Sequence, residues 1–151
     1  MYELIVYNHS IGQNSYHLVF RTKYNLKFFQ RDYTQLNCER FLREAAEKHK
    51  ISIYTIKVLP DHVHIFVELP PTMSVSKAAH LLKGSSSRRF FQMYTVWRDI
   101  VKQGHDAPHL WSRWRFSRSV GQVKAETIAH YIKSSKNNQV STYRERQATL
   151  C

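Results

Sequence analysis

His62 and His64 stand one residue apart and are well spaced to share a divalent cation. They open the run His62-Val63-His64-Ile65-Phe66-Val67-Glu68, in which polar and apolar side chains largely alternate. On a β-strand that spacing sends both histidines to one face, ~6.5–7 Å apart along the backbone, and Val63, Ile65 and Val67 to the other. Two imidazoles on the open side of such a strand can hold one ion between their nitrogens, although a bare His-x-His equally fits two half-exposed histidines with no ion. Asp61, at the end of Leu59-Pro60-Asp61, either accepts a hydrogen bond from the far side of an imidazole or serves the turn alone.

Other reaction chemistries are poorly provided for. The chain has no Gly-x-Ser-x-Gly elbow, no P-loop and no Cys-x-x-Cys pair. The carboxylates near the histidines in sequence are Asp61 and Glu68, too few for a carboxylate-rich site with two Mg²⁺ ions. Cys38, within a helical pattern, reads as a core filler, and Cys151 as incidental. Tyr131, one of nine tyrosines, lies in a helical segment beside His130, Lys133 and Lys136. A phenol of pKa ~10 attacks a phosphodiester only with a polarised electrophile or nearby cations, so Tyr131 reads either as a nucleophile in cationic surroundings or as a core aromatic.

Charge points to a polyanion. Lys and Arg number 23 against 11 acids, a net charge of +12, and mean hydropathy is −0.51. Residues 83–118 hold eight bases (Lys83, Arg88, Arg89, Arg98, Lys102, Arg113, Arg115, Arg118) against Asp99 and Asp106, half of the surplus. Phe90, Phe91, Tyr94, Trp97, Trp111, Trp114 and Phe116 are interleaved with them. That mixture suits single-stranded nucleic acid, whose bases stack while phosphates meet cations, yet each aromatic taken singly also suits a core.

The elements that must position these residues follow from periodicity. With 151 residues the chain is expected to form one domain, with a core over about residues 15–138 and short extensions at both ends. Residues 15–23 read as a strand, and residues 31–50 as an amphipathic helix with Leu36, Phe41, Leu42, Ala45, Ala46 and His49 at three- and four-residue spacing. Strands follow at 51–58 and 62–68, joined by the turn at 59–61. A helix begins after Ser74 as N-cap and runs towards Trp97, weakened by Gly84 and three serines. Residues 104–108 read as a loop, 110–120 as a broken strand and 124–136 as a last helix. The order β-α-β-β-α-β-α predicts an α+β ferredoxin-like sandwich with an added C-terminal helix that carries Tyr131. RNA-recognition motifs share that topology, but their Gly-Phe-rich signature is missing. No apolar run reaches the ~18 residues of a membrane span and no signal peptide is apparent, so a cytoplasmic protein is expected.

Five segments in order resemble one family. LPDHVHIFVELP at 59–70 resembles the histidine–hydrophobic–histidine strand of the HUH-type single-tyrosine transposases, which belong to bacterial and archaeal insertion sequences of the 200/605 kind. YHLVFRTKY at 16–24 resembles their first strand, LLKGSSSRRFF at 81–91 part of their second helix, LWSRWRFSRSVG at 110–121 their last strand, and ETIAHYIKSS at 126–135 their tyrosine helix. The resemblance implies a dimer that cuts and rejoins hairpin-bearing single-stranded DNA, with active sites shared between subunits. It implies His62 and His64 as ligands of Mg²⁺ or Mn²⁺, and Tyr131 as the nucleophile that forms a 5′-phosphotyrosine link. Lys83, Arg88, Arg89, Arg113, Arg115 and Lys133 are the candidate DNA-binding residues.

Two departures stand out. The family's Tyr-Ile-x-x-Gln carries a further ligand, but the fourth residue after Tyr131 is Ser135; Asn138 or Gln139 would have to take that place, or water. Asn25-Leu26 follow Lys23-Tyr24 where the family often has basic residues. A non-catalytic or domesticated hairpin DNA- or RNA-binding protein of the same fold is the competing expectation.

Overall fold

The computed structural model describes residues 5–7, 10–12, 14–102 and 108–120. The elements are β1 (Ile5–Tyr7), β2 (Ser10–Gly12), β3 (Ser15–Thr22), α1 (Asp32–Lys48), β4 (Ser52–Leu59), β5 (His62–Glu68), α2 (Val75–Met93), α3 (Thr95–Val101) and β6 (Trp111–Ser119). β1 and β2 pair as a small antiparallel hairpin that the sequence reading does not contain. The other four strands form one antiparallel sheet in the order β4-β5-β3-β6, and the fold is mixed α+β.

Alternation in the strands decides which face the helices cover. Leu18 and Phe20 of β3 and Val63, Ile65 and Val67 of β5 are fully buried in the main core. α1 meets them with Cys38, Phe41, Leu42, Ala45 and Ala46, one stripe at helical spacing, and α2 with Ala78, Ala79, Leu82, Phe90 and Phe91. Burial raises the Cys38 thiol pKa well above its ordinary value, so this cysteine is an inert filler. An aromatic cluster closes the core: Phe28, Phe29, Phe90 and Trp111 meet edge-on or tilted, with ring centres 5.5–6.4 Å apart.

Several boundaries differ from expectation. Ser74 does cap α2, its hydroxyl oxygen accepting from the Lys77 backbone N–H at 3.1 Å, but the helix stops at Met93 and restarts as α3. The break falls at Tyr94, whose hydroxyl meets the Asn37 amide at 2.6 Å and so ties the break to α1. β6 is one continuous strand rather than the broken one expected, and its only irregularity among the described pairings with β3 is a register shift between Phe20 and Thr22. At the end of α1, Lys50 adopts φ 59°, which lets the Ile51 N–H reach back to the Ala46 carbonyl at 2.9 Å. The expected last helix, with Tyr131, Lys133, Asn138 and Gln139, lies outside the described residues. No helix among the described residues is long and apolar enough to cross a membrane.

Candidate functional site

The sheet face turned away from the main core carries the histidines. His62 sits opposite Arg21 on β3 and Leu59 on β4; His64 sits opposite Val19 and Lys57. With Val63 and Ile65 fully buried on the other side, this register cannot slip by one residue without burying both imidazoles. The tight turn before β5 is fixed as well. The Asp61 carbonyl accepts from the Thr22 backbone N–H at 2.9 Å and from its hydroxyl at 3.1 Å, and the Pro60 carbonyl accepts from the Phe29 N–H at 3.0 Å.

Asp61 thus serves in two ways: its backbone shapes the turn, and its carboxylate Oδ1 accepts from His62 Nδ1 at 2.7 Å. That hydrogen bond is the main reason the Asp61 carboxyl is held below the usual carboxylate range. His64 meets a partner the sequence reading missed. His17, diagonal to it on β3, places Nε2 3.1 Å from His64 Nδ1. The ring centres are 5.3 Å apart, further than the nitrogens by about one ring radius at each end, and the planes differ by 16°. The rings therefore meet end-on through their nitrogens; they are not stacked face to face. Burial pushes the His64 pKa down to about 4, helped by the charges of His17, His62, Lys57 and Arg21. Burial, then Arg118, also lowers that of His17. At neutral pH His64 is an uncharged imidazole with a lone pair to offer. Arg118 lies opposite His17 and exposed Phe116 opposite Val19, so cations and one aromatic ring border the histidines. The alternation of Tyr16-His17-Leu18-Val19-Phe20 is the signal that puts His17 on this face.

A second basic feature lies between α2 and β6, a cleft of about 1180 Å³ bordered by Lys23, Lys83, Arg88, Arg98, Arg113 and Arg115 and by no carboxylate among the described residues. Lys83 donates to the Ser112 carbonyl at 3.0 Å with its ammonium 5.1 Å from the centre of the Phe20 ring. Half-buried there, and next to Arg115, its pKa falls to about 8. Arg115 donates to the Ser76 hydroxyl at 2.6 Å, which anchors it on the rim. Gly84 lies on the lining, and a Cβ built on it meets nothing within 4 Å.

Two of the three serines after Gly84 are structural. Ser86 Oγ accepts from the Trp111 indole N–H at 2.8 Å and donates to the Leu82 carbonyl, and Ser87 Oγ accepts from the Leu110 N–H at 3.0 Å. They pin the start of β6 to α2. Lys83, Arg88, Arg113 and Arg115 share the cleft, whereas Arg89 faces α1, 3.2 Å from Glu44 and over the Phe41 ring. Of the interleaved aromatics, Phe90, Phe91 and Trp111 are core, Tyr94 and Trp97 pack against it, and Phe116 is open to solvent.

Comparisons with known proteins agree with one another. The family model described as "Transposase IS200 like" matches residues 10–135. The chain is 31% identical over 125 residues to the transposase for insertion sequence element IS200 of Salmonella typhimurium, covering 83% of this chain and 78% of that one. It is 26% identical over 129 residues to the ISDra2 transposase TnpA of Deinococcus radiodurans, covering 85% and 89%. A solved structure of a candidate transposase from Deinococcus radiodurans R1 superposes with a TM-score of 0.67 at 24% identity, over 87% of this chain and 97% of that one. A REP-associated tyrosine transposase bound to a REP hairpin gives 0.57 at 12% identity, over 89% and 74%. At these identities the two structures speak for the fold.

Proposed function

The chain belongs to the IS200-like transposase family, an enzyme family acting on DNA, and we propose that it nicks and rejoins single-stranded DNA at hairpin-bearing element ends through a phosphotyrosine intermediate. The observation that carries this reading is the histidine pair on the open sheet face, with Asp61 on Nδ1 of His62 and His17 on Nδ1 of His64. Both rings are then left with Nε2 as the donor. Two imidazole nitrogens would supply only part of a divalent ion's shell and leave its other positions to oxygen donors, which Mg²⁺ and Mn²⁺ favour: water, phosphate oxygens, or the amide oxygen of Asn138 or Gln139; among the described residues no third His, Cys, Asp or Glu completes a cluster. His62 and His64 would hold Mg²⁺ or Mn²⁺, which when bound would polarise the scissile phosphate and offset the charge that builds up on it.

The protein's own groups supply the rest. Tyr131, outside the described residues, attacks phosphorus with its phenolic oxygen. The new Tyr–O–P bond forms as the phenol gives up its proton to solvent and the P–O3′ bond breaks, the 3′-oxygen leaves and takes a proton from solvent, and the DNA stays attached through its 5′-phosphate. Attack by another 3′-hydroxyl reverses these changes, so the energy of the phosphodiester is kept and no nucleotide is consumed. Arg21, Lys57 and Arg118 attract the strand to the histidine face, and Phe116 offers a ring for a base. The α2–β6 cleft, with Lys83, Arg88, Arg113 and Arg115, suits the folded part of the substrate.

The strand order β4-β5-β3-β6 supports a ferredoxin-like sandwich, to which the helix carrying Tyr131 is added. Family resemblance supports a cytoplasmic homodimer in which one subunit's tyrosine helix serves the other's histidines. The test is to incubate the full chain with Mn²⁺ and single-stranded DNA from the ends of its own locus, then run a denaturing gel. The native protein is expected to give a covalent adduct, and His62→Ala and Tyr131→Phe none, with Tyr131→Phe still binding the hairpin. Adduct formation by Tyr131→Phe overturns the nucleophile. No adduct from the native chain with any end sequence overturns the catalytic reading in favour of a hairpin-binding protein.

A further inference from the structure

We propose that His17 is a positioning residue for the metal site: it holds the ring of His64 through Nδ1 and so keeps the Nε2 lone pair of His64 turned towards the ion. The inference rests on the metal reading given above. An imidazole ligates through an unprotonated nitrogen, and a free histidine side chain favours the tautomer with the proton on Nε2, the wrong one for ligation through that atom. A fixed acceptor on Nδ1 reverses the preference.

For His62 that acceptor is the carboxylate of Asp61, at 2.7 Å. The corresponding position on His64 has no carboxylate; it has His17 Nε2, at 3.1 Å. The end-on geometry puts each nitrogen in line with the other ring, as a donor and an acceptor require. His64 Nδ1–H donates, and His17 Nε2 accepts. The backbone holds this pair in place, because β3 and β5 pair antiparallel with His17 opposite Phe66 and Val19 opposite His64, which leaves the two histidines on one diagonal of the same face. Phe116 meets the His17 ring edge-on from β6, with centres 6.1 Å apart, and limits its rotation.

A direct ligand role for His17 fits less well. It would need Nδ1 of His64 and Nε2 of His17 on one ion together with His62, and among the described residues no three such side chains converge to hold a metal. The two histidines of β5 are instead each oriented through Nδ1, one by a turn carboxylate and one by a neighbouring strand's imidazole.

The experiment reads the tautomer first, without metal. Long-range ¹H–¹⁵N spectra of the uniformly labelled full chain at neutral pH are expected to show His64 protonated on Nδ1 in the native protein and on Nε2 in His17→Phe. Mn²⁺ titration calorimetry is then expected to show a loss of about 10- to 100-fold in affinity for His17→Phe. His17→Gln, whose amide oxygen can accept from Nδ1–H, should recover most of it, and all variants should keep the native thermal transition within a few degrees. A native His64 protonated on Nε2, or a tautomer unchanged by His17→Phe, overturns the proposal. So does an unchanged Mn²⁺ affinity. If the native chain binds no Mn²⁺ at all, the metal reading fails by itself, while the tautomer spectra still decide whether His17 orients His64.

Discussion

Replacing Lys83 with methionine should stabilise the fold and weaken DNA binding, and the two effects should separate with pH. The ammonium is half-buried over Phe20, against the Ser112 carbonyl and near Arg115, and its pKa is about 8 where an unperturbed lysine has 10.5. Each pKa unit corresponds to ~1.4 kcal/mol. Because the site remains about half open to water, screening reduces the cost of the charge to roughly 1–2 kcal/mol. The sign follows from the protons bound. Between the folded and unfolded pKa values the unfolded chain keeps a proton that the folded chain has released, so stability rises with pH over that window and is lost again as pH falls through about 8.

Methionine keeps a flexible apolar stem over Phe20 and has no proton to give up. At pH 7 the Lys83→Met protein should therefore gain up to about 1 kcal/mol, after loss of a hydrogen bond worth about the same. That advantage should shrink, or reverse, as pH is raised from about 8 towards the unfolded lysine value of 10.5, and stay level beyond it. Cys38 and Tyr94, whose pKa values burial raises, are common to both proteins, so their contributions cancel in the difference. Urea unfolding followed by circular dichroism from neutral to alkaline pH measures it. A difference between the two proteins that stays constant across the window would refute the buried-charge argument. In parallel, fluorescence anisotropy with a hairpin-bearing oligonucleotide should show weaker binding by the variant. Native affinity should fall as pH rises through about 8, and the variant should not share this loss.

Two further outcomes follow from the cleft and its supports. Arg88→Gln combined with Arg113→Gln should lower the slope of log affinity against log salt by about 1.8, at ~0.9 per phosphate contact on the base-paired hairpin stem; Arg89→Gln, whose parent pairs with Glu44 on the α1 side, should leave the slope as it was. Ser86→Ala leaves the buried Trp111 indole N–H without its acceptor and should cost about 1–3 kcal/mol in urea unfolding.

Sequence periodicity was a good guide wherever one side of an element faces the core. The strand at 62–68 is found with the bounds expected, because Val63, Ile65 and Val67 leave one way to bury them. α1 differs from its expected limits by one residue at the start and two at the end. The break at Tyr94 was not legible, since the Asn37 contact that ties it to α1 comes from 57 positions away. The aromatics at 83–118 illustrate the same limit. Composition groups them with the bases as a stacking surface, but Phe90, Phe91 and Trp111 belong to the core and Phe116 is open to solvent, a division set by pairing with β3 and by the helix above it.

The site divides along the same line between local and distant causes. His62, His64 and Asp61 lie within one turn and one strand, so spacing alone put them together, and the short reach from Asp61 to His62 needs no tertiary contact. Alternation in β3 gives the face of His17 but not its partner, because that neighbour depends on the register of β3 against β5. Register, in turn, follows from the two apolar faces: once Leu18 and Phe20 must meet the same core as Val63 and Ile65, His17 has to appear on the histidine face. The diagonal that brings it to His64 is therefore a consequence of core packing. A change that shifts β3 by one residue would take His17 off that face before it touched either β5 histidine.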